Sequence, residues 1–237
     1  MATRQRRHFA HPQHLLLRTH YSTTSSHFCD ICRTNVAGMV GYRCNTCDID
    51  IHDACADYFE ETVSFFAHPW HTLTLSTIPD DDTNRWSCDL CTESCPRGSF
   101  VYRCAQCGFD AHPLCTLLPQ TIRSPLHPQH DLNMAPSWGT CSACHQGLNM
   151  WHYRCGFCLY KLHVVCPSGA ANAGQGDTSR SHNAGAGAAA ATPGSSRATR
   201  IAKFLLRTSL NIAINAATGA LATPVLDVLA TALDDQE

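Results

Sequence analysis

The residues able to do chemistry in this chain are cysteines and histidines, 16 and 15 of them in 237 residues. That share is far above ordinary usage for a globular protein. Thiolate sulfur and imidazole nitrogen are the donors that zinc takes in structural sites. Three segments carry them in one register. The first reads His11-Pro-Gln-His14, Cys29-x2-Cys32, Cys44-x2-Cys47, then His52-x2-Cys55. The second reads His68-Pro-Trp-His71, Cys88-x2-Cys91, Cys104-x2-Cys107, then His112-x2-Cys115. The third reads His127-Pro-Gln-His130, Cys141-x2-Cys144, Cys155-x2-Cys158, then His163-x2-Cys166. Cys95 is the one cysteine outside the register and is expected to be an inert extra thiol. His8, His20, His27, His145, His152 and His182 have no ligand spacing and are expected at the surface.

The short spacings are fixed and the long ones drift. Between the two Cys pairs lie 11, 12 and 10 residues, and between His-Pro-x-His and the first pair 14, 16 and 10. Rigid ligand geometry joined by adjustable loops gives that pattern. Each repeat offers five cysteines and three histidines, enough for two tetrahedral sites, so six zinc ions are expected in all. With every ligand protein-borne, no position stays open for a substrate or an activated water, which speaks against catalysis and against a small-molecule substrate. The competing uses of so many cysteines are a disulfide scaffold and redox-active dithiols. The basic start of the chain is followed by only a short apolar run, Leu15–Leu17, too short for a secretory signal. A reducing compartment, the cytoplasm or nucleus, is therefore expected. The Cys pairs also lack the βαβ pattern of a thioredoxin-like site.

The elements that must position these ligands are small. The modules are expected over residues 8–57, 65–118 and 124–167, each built of short antiparallel strands and loops around zinc. Proline after His11, His68 and His127 biases those histidines to extended backbone. A Tyr-Arg dipeptide precedes each second Cys pair (Tyr42, Tyr102, Tyr153), and Leu16, Leu73 and Leu132 each follow the second histidine by two. These are expected to be each module's apolar filling. Residues 168–199, rich in Gly, Ala, Ser and Thr, read as a disordered linker. Residues 200–235 read as an apolar or amphipathic helical tail, with no charge from Thr208 to Leu226.

The pattern resembles the C1 zinc domain, specifically the plant cysteine/histidine-rich family of divergent C1 proteins, across roughly residues 8–167. The resemblance implies interleaved sites. In the first repeat Cys29, Cys32, His52 and Cys55 would form one and His11, His14, Cys44 and Cys47 the other. In the second, Cys88, Cys91, His112 and Cys115 would stand beside His68, His71, Cys104 and Cys107. In the third, Cys141, Cys144, His163 and Cys166 would stand beside His127, His130, Cys155 and Cys158. The ordinary C1 domain has one N-terminal histidine and a final cysteine about seven residues after its His-x2-Cys. Here the second histidine of His-Pro-x-His stands in for that cysteine.

Lys and Arg number 17 against 19 Asp and Glu, and bound thiolates would make the modules more acidic still. That balance is poorly suited to nucleic acid. A non-enzymatic protein-interaction adaptor is expected, and the resemblance implies plant intracellular signalling or stress and defence response. Two other functions compete with it. One is a diacylglycerol- or phospholipid-responsive module, although the loops 33–43, 92–103 and 145–154 lack the Pro…Trp-Gly…Gln-Gly set of lipid-binding C1 domains. The other is a dithiol oxidoreductase. A RING ligase is disfavoured because its ligand order is absent. The tail is expected to dock on a partner or on the zinc modules, with membrane-surface contact through Arg197, Arg200, Lys203 and Arg207 as its other use.

Overall fold

In the computed structural model the described residues are 5–166. The linker and helical tail expected over 168–235, and His182, lie outside them. Short extended stretches build three four-stranded antiparallel sheets, each a meander whose strands pair in chain order. The first holds β1 (Gln5–His8), β2 (His11–His20), β3 (Val40–Cys44) and β4 (Ile49–His52). The second holds β5 (Thr62–Phe65), β6 (His68–Thr77), β7 (Phe100–Cys104) and β8 (Phe109–Ala111). The third holds β9 (Thr121–Ser124), β10 (His127–Pro136), β11 (Trp151–Cys155) and β12 (Lys161–His163). Each His-Pro-x-His opens the long second strand, as the proline bias requires.

Each sheet is too small to bury much apolar surface, and what it buries is what the repeat supplies. Leu16, Leu73 and Leu132 are each fully buried, and Tyr42, Tyr102 and Tyr153 are 9%, 2% and 0% exposed. Each leucine contributes about 1.5–3 kcal/mol by burial. The Tyr-Arg pair has a second use. Arg43 and Arg103 face Asp50 and Asp110 directly across the β3–β4 and β7–β8 pairings and form ion pairs with them.

The modules are joined through their linkers. The Tyr102 hydroxyl donates to the Glu60 carbonyl and the Tyr153 hydroxyl to the Pro119 carbonyl, each at 2.7 Å. Phe59 lies 6.3 Å from the Tyr102 ring, and the Phe100 amide donates to the Asp30 carbonyl of the first module. The buried residues of all three sheets thus form one contiguous cluster.

Two of the unassigned histidines are not at the surface. His8 is 2% exposed and His152 fully buried, whereas His20, His27 and His145 are exposed. His152 tolerates burial because both ring nitrogens are engaged, Nδ1 at 3.0 Å from the Asn149 carbonyl and Nε2 at 2.9 Å from the Ser137 hydroxyl.

Candidate metal centres

In each sheet the hairpin of the third and fourth strands has two ends, and the donors gather at both. At the first module's closed end Cys44 pairs with Ile49, and the turn between them carries Cys47. At its open end Gly41 pairs with His52. A Cys-x2-Cys at the tip therefore cannot share a site with a His-x2-Cys at the base. Each must find its partners elsewhere in the chain.

At the tips the partners are the histidines that open the second strand. The structure gathers His11, His14, Cys44 and Cys47 in the first module, and His68, His71, Cys104 and Cys107 in the second. In the third it gathers His127, His130, Cys155 and Cys158. The ligand atoms of each set lie within 4.8 Å of one another. Sγ of Cys47, Cys107 and Cys158 stand 3.2, 3.3 and 3.8 Å from Nδ1 of His14, His71 and His130. The first histidine of each motif presents Nε2 instead, seen where His127 Nε2 lies 3.3 Å from Cys158 Sγ. His11 Nε2 and His68 Nε2 are buried with no hydrogen-bond partner. An unsatisfied buried nitrogen aimed at two sulfurs is what a metal ligand looks like without its ion.

At the bases the partners come from the loop between the second and third strands. Cys29, Cys32, His52 and Cys55 form one set, all buried, and Cys88, Cys91, His112 and Cys115 another. In the third module Sγ of Cys144 and Cys166 lie 3.3 and 3.8 Å from His163 Nδ1, and Cys141 hydrogen-bonds with Cys144 and Cys166. His52 stands at the start of the short helix α1 (Asp53–Tyr58), so Cys55 falls one turn on and faces the same way. A helical turn over Pro113–Leu117 does the same for His112 and Cys115. The first Cys pair turns tightly in all three modules, and the residue after it holds a left-handed conformation: Arg33 at φ 62°, Thr92 at 62° and His145 at 59°.

The histidine of each base set is held from behind. Its Nδ1 faces the sulfurs while Nε2 donates to a loop carbonyl: His52 to Asn35 at 3.1 Å, His112 to Ser94 at 3.4 Å and His163 to Gly147 at 2.8 Å. Such an outer hydrogen bond fixes ring orientation and tautomer at metal sites. The sulfurs of these sets are electrostatically frustrated without a cation. Hydrogen bonds from Cys115 and Cys91 pull the Cys88 thiol well below its usual range, and the same contacts with burial push Cys115 well above it. Three packed thiolates call for a divalent cation, so the donor set fits zinc.

The six sets differ in exposure. The tip sets alternate buried and exposed ligands, with His14, Cys47, His71, Cys107, His130 and Cys158 reaching the surface. The base sets of the first two modules sit inside the core. Cys95, which is not among the four donors of either second-module set described above, is 5% exposed, and its Sγ lies 3.3 Å from His112 Nε2. In the loop register it occupies the position of the buried Val36 and Leu148. A small apolar slot at that position in each repeat was the signal that could have placed it.

The C1 domain family model matches residues 9–56 and 66–116, the first two modules. No curated protein and no solved structure matches the chain. The matched segments together with the clustered donors make these small Cys/His-rich, C1-like modules with short antiparallel strands, consistent with zinc binding and a non-enzymatic signalling or interaction role.

Proposed function

We propose that the chain is a zinc-built, non-enzymatic protein-interaction adaptor of divergent C1 type, working in plant intracellular signalling or stress and defence response. All three repeats belong to it, the third included, and they hold six zinc ions, two each. The ligands are His11, His14, Cys44 and Cys47 with Cys29, Cys32, His52 and Cys55 in the first module. His68, His71, Cys104 and Cys107 with Cys88, Cys91, His112 and Cys115 serve the second. His127, His130, Cys155 and Cys158 with Cys141, Cys144, His163 and Cys166 serve the third.

The observation that carries this reading is that the donors close into fours and that the base-set histidines have their far nitrogens already engaged. His52 and His163, for example, have one nitrogen among sulfurs and the other on a carbonyl. Zinc in such a set cross-links strand ends and supplies folding free energy rather than a reactive water. The modules then act as rigid platforms for protein partners in the cytoplasm or nucleus. Metal analysis of the full chain tests the reading: six zinc per chain are expected, and three or fewer would overturn the two-site assignment. Reduction of insulin by the zinc-loaded protein would overturn the non-enzymatic assignment.

A further inference from the structure

The three modules are not equivalent at the tip of the hairpin formed by their third and fourth strands. In the first the tip reads Asn45-Thr46-Cys47-Asp48 and in the second Ala105-Gln106-Cys107-Gly108. In the third it reads Gly156-Phe157-Cys158-Leu159, with Phe157 85% and Leu159 93% exposed. The base of the tip changes with it. Arg43 and Arg103 are each paired with an aspartate across the hairpin, but Arg154 faces Lys161. The aspartate that accepts the cross-loop amide in the first two modules, Asp30 or Asp89, is replaced by Ser142 in the third. Like charges directly opposite on adjacent strands are destabilising. Among the described residues no carboxylate pairs with Arg154, and Lys161 Nζ donates to the Trp138 carbonyl at 2.6 Å beside a Trp138 that is 76% exposed. Residues 124–167 carry two basic residues against one acidic, whereas 8–57 carry three against five and 65–118 three against six.

A projecting apolar tip on a cationic base fits a segment that is apolar and acidic, and the chain contains one. Residues 224–237 read Pro-Val-Leu-Asp-Val-Leu-Ala-Thr-Ala-Leu-Asp-Asp-Gln-Glu, with four acids, Asp227, Asp234, Asp235 and Glu237, among apolar residues. No Lys or Arg occurs from Thr208 onward. The third module is the one that leads directly into the chain carrying this segment. The 56 residues between them, 168–223, supply chain enough for the segment to return to the tip and be held there at high effective concentration. We propose that residues 224–237 dock on the β11–β12 tip, their apolar residues covering Phe157 and Leu159 and their carboxylates facing Arg154 and Lys161. The surface stands on these side chains and not on which ion the module holds. The tip is thereby masked until a competing apolar, acidic partner segment displaces the chain's own.

Hydrogen–deuterium exchange on the full zinc-loaded chain tests this by following peptides from residues 224–237. Protection of that segment is expected in the parent and is expected to weaken as salt rises. Phe157→Gln with Leu159→Gln should lower protection roughly ten-fold. Lys161→Asp, which restores the Arg–Asp pairing of the other modules and so keeps the fold, should lower it roughly three-fold and remove the salt dependence. Unprotected 224–237 peptides in the parent would overturn the proposal and leave the tip to a lipid surface or another protein. So would protection that survives both variants.

Discussion

Cys95 and His112 are in contact, Sγ to Nε2 at 3.3 Å, on the side of the imidazole turned away from the other sulfurs. The thiol therefore packs behind a candidate ligand rather than beside it, in the slot that the first module fills with Val36. Cys95→Val is expected to leave zinc content unchanged and to shift stability by no more than about 1 kcal/mol, since His112 can transfer its hydrogen bond fully to the Ser94 carbonyl. Metal analysis with urea unfolding checks it. Loss of a zinc ion would make Cys95 a ligand.

Removal of a buried ligand should act very differently. His52→Ala takes one of four donors from a fully buried set and leaves Cys29, Cys32 and Cys55 crowded together. Structural zinc contributes about 10–16 kcal/mol of apparent binding free energy, more than a module of this size can replace by burial. The first module is expected to unfold, with at least one zinc lost and strand signal falling in far-UV circular dichroism. Unchanged zinc content and spectrum would refute the ligand assignment.

His8, which is not itself an assigned ligand, gives the protein an acid-sensitive element beside the first module's metal-ligand candidates His11 and Cys29. Burial, together with the nearby Arg6 charge, lowers its pKa from the usual 6.5 to about 4. The folded state thus binds the proton more weakly than the unfolded state does. The associated stability is complete above about pH 6.5 and is lost as pH falls from there toward 4. At pH 5.5 it should amount to a loss of about 1 kcal/mol relative to neutral pH. His8→Asn, which keeps an acceptor for the Ala10 amide, should flatten that part of the profile in zinc-containing buffer. Parent and variant profiles of equal slope would remove His8 as the cause.

The tyrosine hydroxyls are expected to couple modules to the linkers ahead of them. Tyr102→Phe leaves the ring in the core but removes the hydrogen bond that the hydroxyl donates to the Glu60 carbonyl at 2.7 Å. A loss of about 1 kcal/mol in urea unfolding is expected, with zinc content unchanged. Tyr153→Phe should do the same through Pro119. A stability unchanged in both variants would show that the ring alone matters.

The sequence by itself determined the donors and their repetition. His11 and His14, like Cys44 and Cys47, are three positions apart, a local spacing that any fold of the chain preserves. The extended backbone after His-Pro and the buried Leu16, Leu73 and Leu132 were legible for the same reason, being set by neighbours in the chain. How eight donors divide into two sets was not legible from spacing, because it depends on strand register. It is decided by the pairing of Cys44 with Ile49 at one end of a hairpin and of Gly41 with His52 at the other. Register also buried His8 and His152, whose burial depends on their surroundings and, for His152, on distant polar partners. It placed Arg154 opposite Lys161, two basic residues with no carboxylate ion-paired to them among the described residues. Local spacing is written along the chain, but contact between residues far apart exists only once the sheets have formed.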